Sequence, residues 1–163
     1  MFVKSSSLSE KQRILKRILT LLIILTLGFI FLQSTLPPEV AAKESEFASD
    51  IVSDILPSDS VAEQYAENNM DKIAHVSEFG ILGLFVSIYV CVFSLKPFWC
   101  GILSFAFNFI TAVIDETIQK FSGRMPDIKD VMLDMLGFLC VSIAVYFVYF
   151  AFVKSKKKGK NKW

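Results

Sequence analysis

The chain has 163 residues, a formal net charge of +1, 53% hydrophobic residues and a mean hydropathy of +0.52. That is room for one compact unit, and it is too apolar for an ordinary soluble domain of this length. The near-neutral balance by itself says nothing about partners. The distribution of the charges along the chain is what carries information.

Four stretches lack Asp, Glu, Lys, Arg and His altogether: Ile18–Pro38, Phe79–Leu95, Pro97–Ile114 and Met135–Val153. Crossing the hydrocarbon core takes roughly 20 apolar residues as a helix. The stretches therefore predict membrane spans at about 14–36, 75–95, 97–118 and 131–153 within a single domain over 1–163. The expected fold is an all-α integral membrane bundle of four transmembrane helices with an extracytoplasmic amphipathic helical loop. A basic start followed by an apolar run also fits a cleaved signal peptide. The length of the run and the only fair cleavage site at Val40-Ala41-Ala42 favour a retained helix.

Direction follows from the basic residues. Lys4, Lys11, Arg13, Lys16 and Arg17 precede the first uncharged run, Lys96 separates the second and third spans, and six lysines from Lys154 to Lys162 form the tail at 154–163. Cytoplasmic loops are enriched in Lys and Arg. A multi-pass protein of the cell membrane with both termini cytoplasmic is expected. The loop at 37–72 then lies outside, and its acids from Glu39 to Asp71 outnumber Lys43 and Lys72. Within it, Val40, Phe47, Ile51 and Ile55 recur at helical spacing opposite Glu44, Asp50 and Asp54, as in a helix lying on the outer leaflet or capping the bundle. Pro57-Ser58-Asp59-Ser60 should end it, with a second short helix from Val61 to Met70. Cys91, Cys100 and Cys140 lie in apolar runs and read as small packing residues.

Counting one span length from each basic marker brings three groups of ionisable residues to one depth at the outer face: His75 and Glu78, then Asp115 and Glu116, then Asp134. Asp71, His75 and Glu78 share one helical face, Asp115 and Glu116 lie a turn from Gln119, and Asp127, Asp130, Asp134 and Gly137 form a third stripe. Charges at this depth normally turn inward and pair, and Gly137 would let a neighbouring helix approach closely. Phe121-Ser122-Gly123-Arg124-Met125-Pro126 reads as a tight turn, with Gly123 at positive φ. Arg124 among these carboxylates should be held by Glu116, Asp127 or Asp130. The rim then either fixes helix register as an ion-pair network, or uses Arg124 to clamp a phosphate or carboxylate. A surplus of acids favours a cationic ligand, or an anion held by Arg124 or by a recruited cation.

Three ordered segments resemble the motifs of the VanZ-like membrane family. They are Asp71-Lys72-Ile73-Ala74-His75 with Glu78-Phe79-Gly80, Asp115-Glu116-Thr117-Ile118-Gln119 with Gly123-Arg124, and Asp127 to Gly137. Phe79 stands where a tyrosine is common, and Ser122 where many members have proline. The resemblance implies a role in the cell envelope, its namesake being associated with low-level teicoplanin resistance in Gram-positive bacteria.

The expectation is therefore an envelope protein that is not an enzyme. It would bind a membrane lipid headgroup, a lipid-linked cell-wall precursor or a lipoglycopeptide, or would act on a membrane protein partner; no nucleic acid is expected. The expected binding residues are Lys72, His75, Glu78, Asp115, Glu116, Gln119, Arg124, Asp127, Asp130 and Asp134. The alternative is a membrane-embedded enzyme acting on a lipid-linked phosphate or ester, with His75 and Glu78 as the catalytic candidates. The His75-x-x-Glu78 spacing is a weak metal signal by itself, and no resident metal or cofactor is expected.

Overall fold

The computed structural model describes residues 9–57, 60–93 and 97–160. The described residues form five helices: α1 (Glu10–Ser34), α2 (Pro38–Ile55), α3 (Val61–Phe93), α4 (Pro97–Phe121) and α5 (Ile128–Lys160). Four of them, all but α2, are long and apolar enough to cross a membrane, so the four-span reading holds. Lys96, used above as a marker between spans, and Ser58 and Asp59 of the expected break lie outside the described residues.

Local chemistry accounts for the helix ends. Ser9 caps α1 in a reciprocal box with Gln12. Pro38 occupies the first turn of α2, where its missing N–H costs no hydrogen bond. The Ser60 hydroxyl accepts from the Glu63 N–H at the start of α3. The expected short helix from Val61 forms the first part of α3 and is set off from the second span by a kink at Asn69, which has φ −138° and ψ 26°.

The centre of the bundle is the α3–α5 seam, and it is built from small residues. A side chain at Gly137 would run into the backbone of Val76, and one at Gly83 would lie 2.9 Å from the Phe138 carbonyl. Ser87 and Ser142 meet across the same seam at 2.8 Å. Lipid tails are as apolar as leucine, so helices in a membrane gain by close packing and interhelical hydrogen bonds rather than by hiding apolar surface. The apolar core is accordingly small: Ile30, Phe79, Leu82, Val86, Ala112 and Phe138. Large apolar residues such as Leu25, Leu103, Phe147 and Phe150 face outward.

The expected amphipathic helix forms as α2, and one cysteine departs from the sequence reading. The bulky stripe of α2 (Val40, Phe47, Ile51, Ile55) points away from the protein. Its half-buried side carries small residues, Ala41, Ser45, Ala48, Ser49 and Ser53, with Val52, and α2 packs on α3. Helix α2 is thus a cover that also offers an apolar face to its surroundings. Of the cysteines, Cys91 is half-buried but Cys140 lies exposed on α5, so it does not pack in the bundle.

Candidate functional site

Seen from its polar residues, α4 has two sides. Ser104, Asn108, Thr111, Asp115 and Gln119 recur every three or four residues, and all are buried. This stripe faces the α3–α5 pair and ends in the ionisable cluster. Asn108 donates to Met135 Sδ at 3.1 Å. Asp115 accepts at one oxygen from Gln119 Nε2 at 2.8 Å, and at the other from the Ser34 hydroxyl of α1.

Across from α4, His75 of α3 and Asp134 of α5 meet at 2.9 Å, Nδ1 to Oδ1. Asp134 is fully buried, and its Oδ2 has no hydrogen-bond partner among the described residues. The two helices can hold this pair because Gly137, less than one turn beyond Asp134, brings α5 against Val76 of α3. One donor atom from each of His75, Asp115 and Asp134 lies within 4.8 Å of the others. Three helices therefore converge on one point, as their common depth predicted.

Above this point is a cavity of about 160 Å³. Its ionisable lining is Asp71, His75, Glu78, Asp115 and Arg124, together with Glu44 of α2; Ser34 and Gln119 complete the polar wall, and Ala41, Ser45 and Ala48 close it from the α2 side. Arg124 owes its position to the turn. Gly123 has φ +85°, and the N–H groups of Gly123 and Arg124 return to the carbonyls of Lys120 and Gln119. This is a Schellman ending, which satisfies two terminal carbonyls and folds the chain back over the helix. The next side chain, Arg124, thereby comes over the cavity.

The expected partner of Arg124 is absent. The one ion pair among the described residues is His75–Asp134. Glu116 instead accepts from the Asp127 N–H at 2.6 Å, tying the end of α4 to the start of α5. Asp127 is exposed and caps α5, its Oδ1 accepting from the Lys129 N–H at 2.9 Å. A carboxylate that accepts backbone N–H groups has found a partner nearer than Arg124, which explains the difference. Asp130 is half-buried outside the cavity lining, and Lys72 is exposed, its ammonium donating to Asn69 Oδ1 at 2.9 Å.

Of the ten residues expected at the site, His75, Glu78, Asp115, Gln119 and Arg124 line the cavity and Asp134 lies against it through His75. Lys72, Glu116, Asp127 and Asp130 do not line it. Sequence reasoning missed Ser34, although Gln33-Ser34 is a polar pair at the end of an apolar run. It also missed the stripe Ser104, Asn108, Thr111, whose helical spacing was visible once charged residues were set aside.

The family model VanZ/LLP1 matches residues 19–154, which takes in every residue of the cavity. No curated protein and no solved structure matches.

Proposed function

The chain belongs to the VanZ/LLP1 family, and from that premise and the cavity we propose that it is an envelope protein binding the phosphate-bearing headgroup of a membrane lipid or of a lipid-linked cell-wall precursor. The observation that carries this reading is Arg124, a guanidinium on the cavity wall with no ion-pair partner among the described residues. A planar, permanently charged fork suits the oxygens of a phosphate. The exposed apolar stripe of α2 supports a lipid substrate, since it would keep the cavity mouth at the membrane surface. The distribution of the basic residues supports a mouth outside the cell, with both termini cytoplasmic. A reporter inserted near Ser58 should read external, and one fused after Val153 cytoplasmic.

The direct test is retention of a polyprenyl phosphate by the protein in nanodiscs of neutral lipid. Wild type should retain it, and Arg124→Ala should weaken retention by about tenfold or more, the size of a lost charged hydrogen bond. Equal retention by both proteins would sink the reading. Contribution to teicoplanin resistance is a cellular consequence of the same site. It is read by comparing teicoplanin with vancomycin susceptibility in a sensitive Gram-positive host expressing wild type or Arg124→Ala.

The His75–Asp134 pair favours a second reading, a membrane-embedded enzyme acting on a lipid-linked phosphate or ester. An imidazole oriented by a buried carboxylate is the arrangement of a general base. Product release from a lipid-linked phosphoester, abolished by His75→Gln while binding persists, would separate this reading from binding alone.

A further inference from the structure

The buried cluster holds more carboxyl groups than it has cationic partners at contact distance among the described residues. Asp115 and Asp134 are both enclosed, Glu78 stands on the cavity wall beside Asp115, and among the described residues the one cationic group within ion-pair distance of any of them is the imidazole of His75. Buried carboxylates are normally paired with cations or coordinated to metals. Arg124 lies on the cavity wall but makes no ion pair with any of them. A second and independent sign is Asp134 Oδ2, an oxygen of a fully buried side chain with no hydrogen-bond partner among the described residues.

We propose that His75, Asp115 and Asp134 bind a divalent transition-metal ion of the Zn²⁺ or Mn²⁺ class. One imidazole nitrogen and two carboxylate oxygens suit such ions better than Ca²⁺ or Mg²⁺, which prefer all-oxygen shells. The three donor atoms already lie within 4.8 Å of one another. An ion with bonds of about 2.1 Å holds tetrahedral donors about 3.4 Å apart, so side-chain rotations on the order of an ångström complete the site. Gln119 and Ser34 donate to Asp115 and hold its carboxylate in place, as outer-shell partners of metal ligands do. His75 and Asp115 also line the cavity. A further coordination position of the ion therefore falls on the side where a phosphate oxygen would lie. The sequence-level expectation of no metal is revised on these grounds. The inference shares its cavity with the headgroup reading and deepens it, but metal binding is tested with the ion alone.

Full-length protein in detergent, stripped with a chelator, is titrated with Zn²⁺ or Mn²⁺. Elemental analysis after gel filtration should find one equivalent, and the melting temperature should rise by about 4 °C or more at saturating metal. Pulsed electron paramagnetic resonance of the Mn²⁺ form should show coupling to a single imidazole nitrogen. Asp134→Asn should weaken metal binding by roughly 10-fold or more, while Asp127→Asn, a change in the exposed cap, should leave it unaltered. If Asp134→Asn does not fold, the nitrogen coupling in wild type decides. Substoichiometric metal, no nitrogen coupling, or equal binding by Asp134→Asn would each overturn the site. Retention of polyprenyl phosphate by protein that binds no metal would overturn the ion and leave the headgroup reading standing.

Discussion

The α3–α5 seam and the wall formed by α1 and α2 differ in how closely their backbones approach their neighbours. Along the seam, glycines bring backbone against backbone, and Ser87 bonds Ser142. In the wall, α1 buries only Leu19, Ile30 and Ser34, and α2 buries no residue fully. Yet both regions reach the cavity. The seam contributes His75 and Asp134, whose separation needs to be constant. The wall contributes Ser34, Ala41, Ser45 and Ala48, which touch the cavity from helices that bury few residues fully. Lightly packed elements open at lower free energy than a packed core. The seam thus holds the His75–Asp134 geometry, while the α1 and α2 contacts to the cavity come from helices that bury few residues fully.

The contrast can be broken most severely at Gly137. Gly137→Leu drives a side chain into the Val76 backbone and should cost about 3 kcal/mol or more, at or above the upper end of overpacking penalties. The readout is thermal unfolding in detergent. Phe147→Leu, on the exposed side of the same helix, should stay within about 0.5 kcal/mol of wild type. Equal stability of the two variants would mean that the seam is not close-packed.

Next in size is the dyad. His75→Ala leaves Asp134 buried with neither oxygen paired and should destabilise by roughly 3 kcal/mol. A double-mutant cycle with Asp134→Ala should show coupling well above about 0.5 kcal/mol. Additive effects there would mean that the 2.9 Å contact carries no energy.

A smaller loss is expected at Ser87→Ala, about 0.6 kcal/mol, the average of measured interhelical hydrogen bonds in membranes. A melting curve indistinguishable from wild type would leave packing, without the hydroxyl pair, as the glue of the seam.

The smallest effect separates the rim from the cavity. Glu116 accepts from the Asp127 backbone and makes no ion pair with Arg124. Stability changes of Arg124→Ala and Glu116→Ala should therefore add within about 0.5 kcal/mol. Stronger coupling would restore the single charged network that the sequence alone suggested.

Much of this is legible in the sequence. Four uncharged runs dictate four spans because lipid admits only backbones that satisfy their own hydrogen bonds. Helical spacing put Asp71, His75 and Glu78 on one face, and all three line one cavity. Gly123 and Gly137 announced a turn and a close approach, and both occur. Three charged groups at one depth pointed to a shared site, since charge in a bilayer is costly wherever it faces lipid.

What the chain could not reveal by itself was which carboxylate meets which donor. Depth is a one-dimensional quantity, set by residue count and rise per residue. Partnership also depends on the rotation of each helix about its axis and on which helices touch. Those are decided by the close approach at Gly83 and Gly137, by the Schellman turn that carries Arg124 over the cavity, and by the Asp127 N–H that takes Glu116 away from it. Sequence thus determined the spans and the level of the site. Tertiary packing alone decided that His75 meets Asp134, that Ser34 meets Asp115, and that Glu116 meets the Asp127 backbone, because close contact in the bundle fixes rotation where hydrophobicity fixes only length.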